Sequence, residues 1–260
     1  MAQPLILVPT LTYQFLDLPK HYKGPQRVYK EVDANLDNEK DAPNTMVYTT
    51  LPEQFSGAPE HPDGHTQCVL MGTTKAQILR SPRYLTQSLP KIAAGTVIIK
   101  NASEGAGLGV FAGRDIKFGE FILAERPLLI HPADFRYAPS GAADDYTYEQ
   151  HMVIMRHEIE TDLEVALGRM SDQNQAVFKS LSNAHTDDGS GPLLGIMRTN
   201  AFGVNIDELT RTTSAANLPK LYSIVAHEGS RINHRCIFIF QNIELITTLT
   251  RSPRKKQLCC

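Results

Sequence analysis

The sequence predicts an α+β fold: a module of short antiparallel β-strands, split by a helical insertion and incomplete in its C-terminal part. Three observations lead there. Four short β-branched or apolar runs lie close together between Thr96 and Ile130, each bounded by Gly or Pro. The apolar spacing then lengthens to three or four residues across Tyr148 to Met170, as on one face of an amphipathic helix. After Cys236 the patterning stops. An apolar fraction of 42% is enough to fill a core.

Residues 1–65 are rich in Pro, Asp, Asn and Gln, with Pro43, Pro52, Pro59 and Pro62 punctuating the later part. Such a stretch reads as a mostly irregular N-terminal arm. Residues 66–95 form a flank with one helical segment around Lys75 to Ile78, ending before Pro82. Order begins near Thr96. Thr96 to Ile99, Gly109 to Ala112, Phe121 to Ala124 and Leu128 to Ile130 are the four expected strands, with a turn over Asp115 to Gly119. The main domain spans 96–240 and carries the helical insert at 146–181. There, Tyr148, Met152, Met155, Ile159, Leu163, Leu167 and Met170 share a helix face. Ser171 or Asp172 caps a second helix that turns Val177, Phe178 and Leu181 inward. Thr186 to Pro192 is a loop by composition, and 241–260 is a divergent tail.

A net charge of -2 and a pI near 6.5 provide no basic surplus, so direct nucleic-acid binding is not expected. No apolar run approaches the length of a membrane span, and the N-terminus has no basic leader. Cys68, Cys236, Cys259 and Cys260 are too few and scattered for a disulfide framework, and no C-x-x-C pair suggests a metal. These features predict a monomeric intracellular protein, in the cytoplasm, the nucleus or both.

Gly107-x-Gly109-x-x-Ala112 formally fits a dinucleotide-binding fingerprint. That site needs a helix directly after the turn, and Asp115, Gly119 and the β-like run to Ala124 argue against one. A hairpin turn needing positive φ explains the glycines alone. It leaves the longer string from Gly107 to Ile130, GLGVFAGRDIKFGEFILAERPLLI, unexplained. The string resembles the opening motif of SET-domain protein-lysine methyltransferases. That motif has a G-x-G turn, a strand bearing Phe and Ala, a Gly turn, a strand ending in Glu, then Pro-Leu. The resemblance implies a SET-type fold, with Gly107, Leu108 and Gly109 against the methionine moiety of S-adenosyl-L-methionine. It also implies a lysine side chain of a protein as substrate.

Ser230 to Cys236, SRINHRC, resembles the family's Asn-His-Ser-Cys signature, with Arg235 in place of Ser. By that resemblance the Asn233 amide and the His234 backbone hold the same cofactor. Arg198 to Gly203 resembles the strand before the cofactor loop. Phe202 and Tyr222 are core aromatics in the first place and walls of the lysine channel in the second. The insert is similar to the one that splits SET domains of fungal and SMYD-like proteins, without a MYND-type zinc cluster.

The departures begin after Cys236. The family continues with Pro-Asn, a strand, a Gly-Glu-Glu-Leu turn and the Tyr that closes the lysine channel. This chain has none of these, and no tyrosine follows Tyr222. A truncated paralogue or an altered reading frame would produce that break, and no catalytic residue can be named. Methyl transfer from a sulfonium needs a neutral amine aligned opposite the leaving sulfur, with oxygen acceptors around the methyl. Without the Tyr, the cofactor half-site survives while turnover falls.

Other chemistries fare worse. His157-Glu158 and His227-Glu228 lack a second His four residues on, where Thr161 and Arg231 stand. No G-x-S-x-G elbow suggests a serine hydrolase. The basic tail ending in Cys259-Cys260 can be read as a nuclear address or a prenyl anchor, though an out-of-frame tail accounts for it better. Two classes remain: a protein-lysine methyltransferase, or a non-catalytic SET remnant serving as a protein-binding module.

Overall fold

A strand covered on both faces buries side chains at consecutive positions, and all 7 residues of Thr45–Leu51 (TMVYTTL) are buried. The computed structural model describes residues 17–25, 28–31, 43, 45–53, 61–81, 84, 88–102, 107–133, 146–210, 218–232 and 247–250. In chain order its strands are β1 Val28–Glu31, β2 Thr45–Leu51, β3 Thr66–Met71, β4 Val97–Asn101, β5 Leu108–Ala112 and β6 Phe121–Glu125. They continue with β7 Leu129–Pro132, β8 Phe202–Asn205, β9 Leu221–Val225 and β10 Thr247–Thr250. The helices are α1 Thr74–Leu79, α2 Tyr148–Gly168, α3 Asp172–Lys179, α4 Pro192–Asn200 and α5 Ile206–Thr210.

Six strands form one mixed sheet in the order β1-β2-β3-β7-β9-β8. β1 runs parallel to β2, and β3 parallel to β7; the other pairs are antiparallel. Side chains alternate across it. Met46, Tyr48, Val69, Leu129 and Val225 face Leu163 of α2, Phe178 of α3 and Leu194 of α4. Val47, Cys68, Leu70, Ile130, Tyr222 and Ile224 face the other way, onto Ile78 of α1 and Ile206 of α5. Hydrophobic burial on both sides of this sheet is the main stabilising term.

The expected α+β class is observed, with two corrections. The sheet is mixed rather than antiparallel, and order does not begin at Thr96. The segment read as an irregular arm supplies β1 and β2, and the flank supplies β3, whose residues Cys68, Val69 and Leu70 are all buried. Residues 1–16 of that arm lie outside the described residues.

The expected four-strand module is divided: its fourth strand, β7, lies within the large sheet, and the other three lie in two separate two-stranded sheets. β4 and β5 make an antiparallel hairpin, and β6 pairs antiparallel with β10. Ile122 and Leu123 of β6 form a small cluster of their own with Val97, Ile116 and Ile232. Thus a strip of the segment expected to diverge, Thr247–Thr250, supplies the partner strand of β6.

The insert begins as expected. Thr147 caps α2: its hydroxyl accepts from Gln150 N at 3.3 Å, and the Gln150 side chain accepts from Thr147 N at 2.9 Å. Reciprocal capping of this kind satisfies two otherwise orphaned donors. Thr147→Ala should therefore cost about 1 kcal/mol in urea unfolding, and an unchanged midpoint would mean the cap contributes nothing. Ser171 caps α3 as predicted, accepting from Asn174 N at 3.3 Å. Thr186 to Gly191 is a loop as expected, with Pro192 already the first residue of α4; the strand expected over Arg198 to Gly203 is corrected, because α4 runs to Asn200 and β8 starts only at Phe202. Among the described residues no helix is long and apolar enough to cross a membrane.

Candidate functional site

Gly107 opens β5 with φ +69°, in the left-handed region where glycine carries no Cβ penalty. The turn itself therefore requires a glycine here. Gly107 and Leu108 are exposed, while Gly109 is buried in the hairpin beside the Phe111 ring. A Cβ on Gly107 would stand 3.5 Å from Ser182 Oγ, so the turn lies along the segment that follows α3.

β5 also packs against a 3-10 turn, Gly229–Arg231, which ends two residues before Asn233. Asn233 and His234 lie outside the described residues. What leads up to them is well anchored. Ser230 Oγ accepts from Ala226 N and donates to the Asn200 carbonyl, both at 2.9 Å. The Asn200 amide donates to the Ser182 and Ile196 carbonyls at 2.6 and 2.7 Å. Arg231 donates to Ser180 Oγ at 2.9 Å. The end of α4, the turn after α3 and the approach to Asn233 are thereby tied together around the Gly107 hairpin.

The strongest of these ties is Glu125, the residue that closes β6. Its carboxylate accepts from three consecutive backbone amides: His227 N at 3.2 Å, Glu228 N at 3.1 Å and Gly229 N at 2.6 Å. Successive amides converging on one anion form an anion-binding concavity. Burial pushes the Glu125 carboxyl up from its ordinary value, and the amides of Gly229, Glu228 and His227 oppose that shift. Burial also pushes His227 and Arg231 down.

The two aromatic candidates are differently placed. Tyr222 is 1% exposed; its hydroxyl donates to Thr74 Oγ1 at 3.1 Å and accepts from Met71 N at 3.3 Å. Burial raises its pKa to about 12. It is a core residue, its hydroxyl engaged at the start of α1. Phe202 is half-buried and packs against the same cluster as Tyr222.

Sequence reasoning gave Glu125 no role, although it recognised a Glu at the end of that strand. Ser182, Asn200, Ser230 and Arg231 were also missed. Serine and asparagine satisfying backbone groups leave no spacing signature.

Other polar clusters carry less chemistry. Asp188 accepts from Ser190 N at 3.1 Å and pairs with His185 at 2.9 Å and with Arg198. Burial opposes its ionisation, but hydrogen bonds from Ser190, Arg198 and His185 outweigh that and hold the carboxyl below its usual range. These bonds fasten the loop before α4. Tyr48 donates to Asp162 at 2.8 Å, with His131 Nε2 3.9 Å from the same carboxylate, but all three are closed off from solvent. Burial likewise pushes the Cys68 thiol up, as for a packed core residue rather than a nucleophile. A cleft of about 340 Å³ runs along α2 beside His157, Thr161 and Glu164. Among the described residues no cluster of His, Cys, Asp and Glu is arranged to hold a metal ion.

Comparison with protein-family models, with curated proteins and with solved structures finds no match.

Proposed function

We propose that this chain carries the S-adenosyl-L-methionine half-site of a SET-type protein-lysine methyltransferase. The observation that supports the reading is the juxtaposition of its two motif regions. β5, which follows Gly107, packs on the Gly229–Arg231 turn, and Glu125 of the opening motif accepts from three amides at and just before that turn. The two stretches are far apart in sequence, and the fold packs them together. Gly107 and Leu108 offer an exposed stretch of backbone that suits the approach of a cofactor, with Gly109 buried behind them, and Asn233 and His234 would complete the site. Bound there, the cofactor would supply an electrophilic methyl group; the protein's part is to hold and orient it.

One observation favours a second reading. The Tyr222 hydroxyl is committed to Thr74 and Met71, so Tyr222 does not supply the channel-closing phenol. A chain of that kind would bind cofactor or protein without turnover.

Two measurements separate these readings. A ligand that binds only the native state raises the melting temperature by mass action. Saturating S-adenosyl-L-methionine should raise it by several degrees, and the absence of any shift would remove the cofactor site. Transfer of labelled methyl to a lysine-rich protein pool should accompany the shift in a methyltransferase. A shift without transfer selects the non-catalytic remnant.

A further inference from the structure

The β4–β6 segment holds the turn before Asn233 in two ways. Ile232 packs into the cluster of Ile122, Leu123 and Val97, while Glu125 takes the amides of residues 227–229. We infer that Glu125 is the positioning residue of the cofactor half-site. It sets the register of residues 227–231 against the hairpin that Gly107 opens. The inference rests on the reading proposed above.

The chemistry suits that role better than a general contribution to folding. A carboxylate accepting from three consecutive amides defines both the position and the orientation of a turn, because its two oxygens must be shared among donors pointing the same way. Gly229 leaves room for it: a Cβ there would stand 3.1 Å from Glu125 Oε1. Ser230, next in the chain, bonds in the other direction, to the Asn200 carbonyl. The turn is thus clamped between β6 and the end of α4, and Glu125 is the charged member of the clamp. Removing it leaves three amides to be satisfied by water and frees the turn to shift. Displacements of about 1 Å in such supports are enough to cost one to two orders of magnitude in function.

The test uses the full chain with Glu125→Ala and the milder Glu125→Gln, which keeps one acceptor oxygen and the size of the side chain. Thr147→Ala, at the far start of α2, serves as a control for lost stability alone. Calorimetry reads affinity for S-adenosyl-L-methionine, and amide hydrogen exchange reads residues 227–229. The expected result is faster exchange at those three amides and roughly tenfold or greater loss of affinity in Glu125→Ala, with a smaller loss in Glu125→Gln. Thr147→Ala should leave both unchanged. Unaltered exchange at 227–229, or unaltered affinity despite faster exchange, would overturn the positioning role. If the wild-type chain binds no cofactor, the proposed function falls instead, and with it the cofactor role of Glu125. The exchange data would still decide whether Glu125 holds the turn.

Discussion

Replacing Glu160 with alanine should destabilise the protein by about 3 kcal/mol, because it orphans two buried backbone donors at once. α4 has no cap of its own. Its N-cap is Gly191, followed by Pro192, and neither offers a side-chain acceptor. The first free amides of the helix belong to Leu193 and Leu194, and Glu160 of α2 accepts from them at 2.9 and 2.7 Å. A carboxylate at a helix N-terminus also meets the positive end of the helix dipole. The absence of a side chain at 191 makes room for this, since a Cβ there would stand 2.2 Å from the Glu160 carboxyl carbon. Because α4 ends at Asn200, whose carbonyl anchors Ser230, the loss should be felt at the candidate site as well.

Glu160 should also leave a mark on the pH dependence of stability. Burial pushes its carboxyl up, against the two amides that lower it. The folded protein therefore keeps a proton there at a pH where the unfolded chain has lost it. That contribution is full below the ordinary carboxylate pKa and is lost as pH rises through the raised value. Glu160→Gln has no proton to lose. The stability of the wild type minus that of Glu160→Gln should thus fall as pH rises through that window, measured by urea unfolding. A flat difference would show that Glu160 titrates as it does in the unfolded chain.

The same residue shows what could and could not be read in advance. The β4–β6 strands and the long helix α2 were legible because their signals are local: Gly and Pro boundaries, and one apolar face at helical spacing. α4 was not, because its cap stands in another helix and Gly191-Pro192 alone looks like a loop. β2 and β3 were hidden by their own burial. With both faces covered, Val47 and Met46 are equally apolar, the alternation that marks a half-exposed strand disappears, and Pro43 and Pro52 at the ends looked like punctuation in an arm. At the candidate site, the glycines were visible through residue type. The hold on the 227–229 turn was not, since its donors are backbone amides more than a hundred positions from Glu125 and any residue supplies an amide.

Gly113→Ala should cost about 2–3 kcal/mol by overpacking against backbone, and should do so through the hairpin that carries Gly107. Gly113 follows β5, and its amide donates to the Thr96 carbonyl at 3.0 Å, the first bond beyond the Val97↔Ala112 pair. A Cβ at 113 would stand 2.2 Å from the Gly95 carbonyl oxygen and 3.2 Å from Ile98 Cγ2. No rotamer change relieves a clash with backbone, so the start of β4 and the end of β5 must separate. Gly95, across the same junction, makes the informative comparison. It has φ +72° and open space around its Cβ position, so Gly95→Ala meets only left-handed strain, about 1–2 kcal/mol. Denaturant unfolding of the two variants should therefore rank Gly113→Ala as the more damaging. The reverse order would mean that the junction yields easily and that the close approach of Gly113 to Gly95 does not hold the hairpin. If the hairpin does splay, the exposed Gly107–Leu108 edge moves away from the Gly229–Arg231 turn. If the proposed cofactor half-site exists, Gly113→Ala should then also weaken S-adenosyl-L-methionine binding, although residue 113 has no place in that half-site itself.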